Sequence, residues 1–135
     1  MTYDEWEQNV HQRVKDEPAW GLFGYRKALY LHDLVWKDCD KFDANRKGKA
    51  ITSQVIRSAG SISANIEEGF GRGIGSKEFV YYLRISIGSA RETKGWYWRG
   101  RHQLTQDVLD HRLALLDEVI SLIATEIGRQ RKKTK

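Results

Sequence analysis

The chain has 135 residues, of which 40% are apolar and 30% are charged, a balance typical of one globular domain rather than of a disordered chain. No apolar run approaches the roughly 18 residues of a membrane span, and no signal peptide opens the chain, so we expect a cytoplasmic protein without membrane contact. The single cysteine, Cys39, excludes a disulfide framework and a multi-cysteine metal site. Because the only proline is Pro18, the 117 residues after it lack the strongest helix breaker, and we expect a mainly helical fold.

Charge is distributed unevenly along the sequence. The formal net charge is +5, from 23 basic and 18 acidic residues, although residues 1–20 carry a net charge of −3. Five positive charges lie in the last seven residues, at Arg129, Arg131, Lys132, Lys133 and Lys135. Such a basic tail predicts contact with nucleic acid or another polyanion, and a solvated, frayed terminus is the alternative interpretation.

The first segment, about residues 2–17, has one apolar row. Tyr3, Trp6, Val10 and Val14 follow at steps of three, four and four residues, which is the spacing of one helical face. The remaining positions are largely charged, and Pro18 ends the pattern. We therefore predict that residues 1–20 form a short amphipathic helix and a linker, and that this helix packs on the main domain.

Four longer helical patterns follow, over about 25–44, 49–70, 77–100 and 106–131. The first of them places Ala28, Leu29, His32, Val35, Trp36, Cys39 and Phe42 on one face. Turn-like residues at 45–48 and a glycine run at 69–75 separate the segments, and Ser76 and Thr105 are suitable N-caps for the last two. This pattern predicts an all-α protein: an antiparallel up-and-down four-helix bundle over 21–128, with the added N-terminal helix before it and the basic tail, 129–135, after it.

The last segment has a wider apolar face than its neighbours. Leu109, Leu113, Leu116, Ile120, Ile123 and Ile127 alternate steps of four and three residues, which is a heptad pattern. A second apolar row lies beside it, at Val108, Leu115, Val119 and Leu122. Because a four-helix core does not need so wide a face, the pattern predicts a subunit interface.

The glycine run does not match a nucleotide-binding loop. Its order is Gly75-Ser76-Lys77, whereas a phosphate loop needs Gly-Lys followed by Ser or Thr, and no strand precedes it. An anion held at the helix start by free amides and Lys77 stays open. No Glu-x-x-His motif occurs, and the four histidines are scattered, so we expect neither a metal nor another cofactor. Cys39 lies on an apolar row, which favours a packed core residue over a nucleophile.

A polar row accompanies the apolar face of the third segment. It comprises Gln54, Arg57, Ser61, Asn65, Glu68 and Arg72, and Ser89 and Glu92 of the next segment have a compatible spacing. We predict that these residues form a structural hydrogen-bond network that fixes helix register or subunit contacts, with a solvated face as the alternative. An enzyme would instead require Glu68 and Glu92 to form a buried pair whose mutual repulsion raises a pKa. We expect no catalytic residues.

A cluster of aromatic and basic residues ends the fourth segment. It includes Lys94, Trp96, Trp98, Arg99 and Arg101. Aromatic rings beside arginines can stack on unpaired bases, so the cluster predicts a nucleic-acid-binding site. In the alternative interpretation, the aromatic rings close the end of the bundle and the arginines stay solvated.

The third and fourth segments carry an extended motif. Its central part reads Ser61-Ile-Ser-Ala-Asn65-Ile-Glu-Glu68-Gly-Phe-Gly-Arg72, and Ser76-Lys77-Glu-Phe79 and Gly88-Ser89-Ala-Arg-Glu92 follow. Over about residues 25–127 the chain resembles the bacterial four-helix bundle family, also called the 23S rRNA intervening-sequence protein or S23 family. The sequence departs from the family pattern in its added N-terminal helix, in Ile56, where a basic residue is usual, and in the Trp96-Tyr97-Trp98 run.

The resemblance implies a small up-and-down bundle that assembles into a ring-like homopentamer, without an established enzymatic activity. The family is in turn similar to the accessory variability proteins of diversity-generating retroelements, which partner a reverse transcriptase and its RNA. We therefore expect a non-enzymatic homo-oligomer that binds structured RNA, as an accessory subunit of a reverse transcriptase ribonucleoprotein. The alternative is a protein-binding scaffold that uses the N-terminal helix or the wide face of the last helix.

Overall fold

The computed structural model describes residues 1–133, and all regular structure within that range is helical. The α-helices are α1 (Tyr3–Gln8), α2 (Gln12–Lys15), α3 (Phe23–Asp43), α4 (Gly48–Gly71), α5 (Lys77–Arg99) and α6 (Gln106–Lys133), with short 3-10 turns at Pro18–Gly21 and Arg101–Gln103. The predicted all-α class is confirmed. None of the described helices is long and apolar enough to cross a membrane.

The four long helices enclose one hydrophobic core. Helix α3 packs on α4 and α6, and α5 packs on the same two helices. Phe42, Phe79 and Tyr97 are the largest fully buried side chains, and each comes from the apolar row of its own helix. Burial of these rows supplies the main stabilisation, at roughly 25 cal/mol per Å² of apolar surface removed from water.

The two apolar rows of α6 are covered in part within the chain. Leu109, Leu116, Ile123 and Ile127 of the heptad row are buried, and so are Leu115 and Val119 of the second row. The backbone of α3 at Gly24 lies so close to Ile123 that a Cβ there would stand 3.0 Å from its side chain. Val108, Leu113, Ile120 and Leu122 stay partly exposed on the same face, so the subunit interface predicted there stays a prediction.

The start of α5 follows the predicted capping chemistry. The hydroxyl of Ser76 accepts a hydrogen bond from the backbone N–H of Phe79 at 3.1 Å. Gly73 and Gly75 have φ values of +104° and +89°, which residues with a Cβ rarely adopt, and so the glycine run turns the chain between α4 and α5. Thr105 likewise accepts from the N–H of Val108, at 3.3 Å.

The N-terminal segment differs from its prediction, because it forms two short helices rather than one. Thr2 and Glu5 form a capping box at the start of α1, and Asn9 ends that helix with φ −101° and ψ 2°. The ring of His11 then caps α2 by accepting from the N–H of Arg13. The segment folds back on α3: Trp6 is buried, and its indole N–H donates to Asp33 at 2.6 Å.

One residue of the predicted apolar row in α3 faces solvent. Trp36 is 66% exposed, whereas Leu31, Leu34 and Val35 are buried. The covered face is rotated from the predicted one because the N-terminal segment, α4 and α6 all pack on α3.

Candidate nucleic-acid interface

The exposed aromatic and basic cluster lies where α5 ends. We call this part of the molecule, formed by the connections 44–47 and 100–105 and the helix ends beside them, the Trp98 end. The indole of Trp98 is 55% exposed, and the guanidinium carbon of Arg101 lies 4.0 Å from its ring centroid. Arg101 also donates to the carbonyl oxygen of Trp98, at 2.9 Å. An arginine stacked on an exposed indole is a preformed platform for an unpaired base and its phosphate.

A second pair of an arginine and a tryptophan, Arg99 and Trp96, begins two residues before Trp98 on α5. Arg99 is exposed, and its guanidinium carbon is 4.8 Å from the ring centroid of the half-buried Trp96. The indole N–H of Trp96 donates to the carboxylate of Glu92 at 2.9 Å, and Arg57 of α4 donates to the same oxygen. These bonds, from Trp96 first and Arg57 second, lower the pKa of Glu92, which therefore stays ionised.

Lys94 of the predicted cluster and the neighbouring Tyr97 are less available to a ligand. The ammonium of Lys94 is 2.6 Å from a carboxylate oxygen of Asp117 on α6. Tyr97 is fully buried and packs against Phe42, with ring centroids 6.0 Å apart. Tyr97 is therefore the aromatic ring of this stretch that closes the end of the bundle, whereas Trp98 and Arg101 remain accessible.

The connection between α3 and α4 adds positive charge to the Trp98 end. Lys47, Arg99 and His102 line one groove there, together with Ile51 and Gly100. Lys41, Arg46 and Lys49 are exposed on the same connection or beside it. The sequence interpretation missed these cations, because only the packing of α3 against the other helices brings residues 41–49 beside residue 99.

The predicted basic tail lies at the opposite end of α6. Helix α6 has 28 residues, so about 40 Å separate its two ends. Arg129 lines a groove with Ile74 of the glycine run and pairs with Glu126 at 3.3 Å, and Arg131, Lys132 and Lys133 follow on the last helical turn. The structure therefore does not bring the two predicted basic groups together. Lys135 lies outside the described residues.

The predicted polar row separates into three clusters. Gln54, Arg57 and Glu92 form one, and Ser61, Asn65 and Ser89 form the second, in which the hydroxyl of Ser89 donates to that of Ser61 at 2.9 Å. Glu68 and Arg72 pair with each other at 2.8 Å in the last turn of α4. The first two clusters join α4 to α5, as a network that fixes register would.

The enzyme alternative required a buried pair of Glu68 and Glu92, and the structure contradicts that arrangement. Each carboxylate is partly exposed and pairs with a different arginine. The pKa of Glu92 is lowered, whereas repulsion within a buried pair would raise it.

The most buried ionic cluster was not predicted from the sequence. Asp38 is 2% exposed and accepts hydrogen bonds from Arg112 of α6, at 2.7 and 3.1 Å, and from the hydroxyl of Tyr97, at 2.6 Å. Burial and the adjacent Asp38 raise the pKa of Tyr97 well above its usual value. The available signal was the position of Asp38, three residues after Val35 and four before Phe42, on the buried face of α3.

The remaining chemical candidates have structural roles or none. Cys39 is buried, as predicted, and burial raises the pKa of its thiol to about 11, so it is a poor nucleophile. Among residues 1–133, no three histidine, cysteine, aspartate or glutamate side chains are grouped as they would be to hold a metal ion.

The scaffold alternative would use the N-terminal segment to bind a protein partner. In the structure, Trp6 and Val10 of that segment pack against the chain's own core.

The described helices and this interface define a small helical bundle with a basic, tryptophan-bearing end. Residues 22–125 match the family profile of the 23S rRNA-intervening sequence protein, and because this match covers most of the sequence, the chain belongs to that family. The N-terminal segment lies outside the matched range.

The fold is similar to that of a solved structure from the same family. That structure is the crystal structure of a protein of unknown function from the S23 ribosomal protein family of Bacteroides thetaiotaomicron VPI-5482. The similarity has a TM-score of 0.69 at 22% sequence identity and covers 77% of this chain and 97% of the other. No curated protein matches the sequence.

Proposed function

We propose that this protein is a non-enzymatic RNA-binding bundle whose main contact surface is the Trp98 end. The observation that carries the proposal is the exposed indole of Trp98 with Arg101 stacked on it at 4.0 Å. An unpaired base would stack on the aromatic platform, while Arg99, Arg101 and the cations of residues 41–49 would contact phosphates. The name of the family, which refers to ribosomal RNA, is compatible with this ligand class.

We further propose the up-and-down order of the four long helices and a cyclic homopentamer. Contacts support the helix order: in α4 and α5, Ser58 bonds to Thr93 and Ile62 bonds to Ser86, so residue numbers rise along one helix as they fall along the other. The pentamer follows from the family resemblance. Several copies of the Trp98 end on one ring would increase avidity for a single RNA. A reverse transcriptase as the protein partner is a further expectation from the same resemblance.

The test compares two matched double variants in a titration of fluorescent, structured RNA at several salt concentrations. Trp98→Ala/Arg101→Gln removes the platform, and Trp36→Ala/Lys37→Gln removes another exposed tryptophan and one cation from α3. We expect the first variant to weaken binding at least tenfold, because each stacked base contributes about 1–3 kcal/mol. The second variant should bind like the unaltered protein. Equal effects of the two variants would refute the assignment of the Trp98 end.

Light scattering on the same samples tests the oligomer. A mass of five chains would support the ring, and a monomer at micromolar concentration would contradict it. Absence of RNA binding by the unaltered protein, even at low salt, would overturn the functional proposal as a whole.

A further inference from the structure

Helix α5 carries a second pattern on the side that faces away from the core. Its members are spaced alternately four and three residues apart, and they are Lys77, Tyr81, Arg84, Gly88, Arg91, Gly95 and Trp98. All of them are exposed except Gly95, which is half-buried. We call this row the basic stripe of α5. It runs for about 32 Å, from the glycine run to the Trp98 end.

The three cations of the basic stripe lack acidic partners. Lys77, Arg84 and Arg91 form no ion pair with any of residues 1–133, whereas Arg26, Arg57, Arg72 and Arg112 each pair with a carboxylate. No acidic residue lies on the stripe, and the adjacent Glu92 is already bonded to Arg57 and Trp96. Glu78, the other acidic residue of α5, is exposed one position after Lys77, so the uncompensated positive charge of the stripe lies at Arg84 and Arg91.

Gly88 leaves the middle of the stripe without a side chain, whereas the guanidinium of Arg99 covers Gly95, where a Cβ would stand 2.7 Å from it. A Cβ at Gly88 would meet no atom within 4 Å, so this position is open to solvent. Without side chains there, an elongated ligand can approach the helix backbone between the flanking arginines. Tyr81, which is 59% exposed, and Trp98 place an aromatic ring toward each end of the row.

We propose that the basic stripe of α5 is the track along which a single RNA strand extends from the Trp98 end. This inference rests on the proposed function and adds the path and the length of the bound strand. At roughly 3.4 Å per stacked nucleotide, the stripe accommodates about nine nucleotides. Arg84 and Arg91 contact phosphates, and Tyr81 and Trp98 stack on bases.

Charge complementarity favours RNA over a second copy of this chain. Two copies that joined stripe to stripe, as in a two-fold dimer, would bring unpaired arginines together and would repel each other, and the proposed ring would join two different faces instead. A polyanion instead gains from each cation and releases its counterions. Self-association through this face would change the molecular mass, which light scattering measures.

The decisive variant is Arg84→Gln/Arg91→Gln, and its matched control is Arg13→Gln/Lys37→Gln. The control removes two exposed cations, also without an acidic partner among residues 1–133, from the N-terminal segment and α3. Both variants and the unaltered protein are titrated with single-stranded RNAs of about 4 and about 20 nucleotides, so that only the longer one can span the stripe. Gly88→Asp is a further variant that leaves every arginine in place and adds a carboxylate to open space.

We expect Arg84→Gln/Arg91→Gln and Gly88→Asp to weaken binding of the long RNA at least tenfold and to weaken binding of the short RNA much less, because the short RNA can also bind at the Trp98 end alone. The log–log salt slope for the long RNA should become shallower by about 1.4 in the double variant, since each phosphate contact to a single strand contributes about 0.7. The control should change neither value.

Other outcomes separate the two proposals. If the long RNA binds both stripe variants as tightly as the unaltered protein while Trp98→Ala/Arg101→Gln binds it more weakly, the proposed track is wrong and the assignment of the Trp98 end is supported. If the unaltered protein binds neither RNA, both proposals fail. If Arg84→Gln/Arg91→Gln lowers the molecular mass in light scattering at an unchanged melting temperature, the stripe is a subunit contact and the track is wrong.

Discussion

Two carboxylates in this bundle, Asp38 and Glu92, make the same kinds of bonds in different surroundings. Asp38 accepts from Arg112 and from the hydroxyl of Tyr97, and Glu92 accepts from Arg57 and from the indole N–H of Trp96. We call the first group the buried triad and the second group the exposed triad. The side chain of Asp38 is 2% exposed, and that of Glu92 is 40% exposed.

Because the two triads differ in exposure, they contribute differently to the stability of the fold. In the buried triad the charges are removed from water, so each partner must stay in place to compensate the others. In the exposed triad water screens the charges, and the bonds contribute little to the free energy of unfolding. The exposed triad adjoins Arg99 and the Trp98 end, where it can affect the RNA binding that we propose.

The largest expected effect is the loss of a charge from the buried triad. Asp38→Ala should lower the free energy of unfolding by about 3–5 kcal/mol, because it leaves Arg112 buried without its partner. Glu92→Ala, its counterpart in the exposed triad, should cost about 1 kcal/mol or less. Urea denaturation followed by circular dichroism measures both, and equal losses would remove the distinction between the triads.

The next effect concerns the hydroxyl of Tyr97. Tyr97→Phe should cost about 1.5–3 kcal/mol at pH 7, the usual contribution of a hydrogen bond to a charged group. Since the pKa of Tyr97 is raised on folding, the hydroxyl stays protonated in the folded chain above pH 10 while the unfolded chain loses its proton. The contribution of the Tyr97 hydroxyl to the free energy of unfolding is therefore fully present below about pH 10 and decreases as the pH rises further.

The stability difference between the unaltered protein and Tyr97→Phe should accordingly narrow above pH 10. Urea midpoints between pH 8 and pH 11 test this narrowing, and Tyr81→Phe, at an exposed position, is the control. A gap that stayed constant over this range would contradict the shifted pKa of Tyr97.

A smaller effect is expected from the ion pair of the exposed triad. A double-mutant cycle with Arg57→Gln and Glu92→Gln should give a coupling of about 0.2–1 kcal/mol that decreases with added salt. Because the pKa of Glu92 is lowered on folding, this contribution is present above about pH 4.5 and is lost as the pH falls through the folded-state value. Coupling that persisted in molar salt and at low pH would show that Glu92 is not screened by water.

The smallest effect is on ligand binding. Glu92→Gln removes a negative charge beside Arg57, Arg99 and Trp96, so the affinity for RNA should rise about twofold to threefold at low salt. Glu118→Gln, which removes an exposed carboxylate paired with Lys27, should leave the affinity unchanged. A decrease with Glu92→Gln would indicate that the exposed triad must stay intact to hold Trp96 in place.

Local chemistry in the sequence determined the helical segments, the caps at Ser76 and Thr105 and the burial of Cys39. It also assigned Arg57 and Glu92 to one predicted polar network and pointed to Trp98 and Arg101. Each of these features depends on residues within a few positions of one another or on the helical repeat. Even so, the repeat predicted one N-terminal helix where the chain forms two, because the capping of α2 by His11 competes with continuation of α1.

Only the tertiary structure decided which faces are covered and which distant residues meet. Asp38 lies 59 residues before Tyr97 and 74 residues before Arg112, so no local pattern joins them. The same holds for the exposure of Trp36, the convergence of residues 41–49 with Arg99, and the separation of the basic tail from the Trp98 end. Helical periodicity defines the faces of each helix, but the packing of the other helices determines which of those faces water reaches.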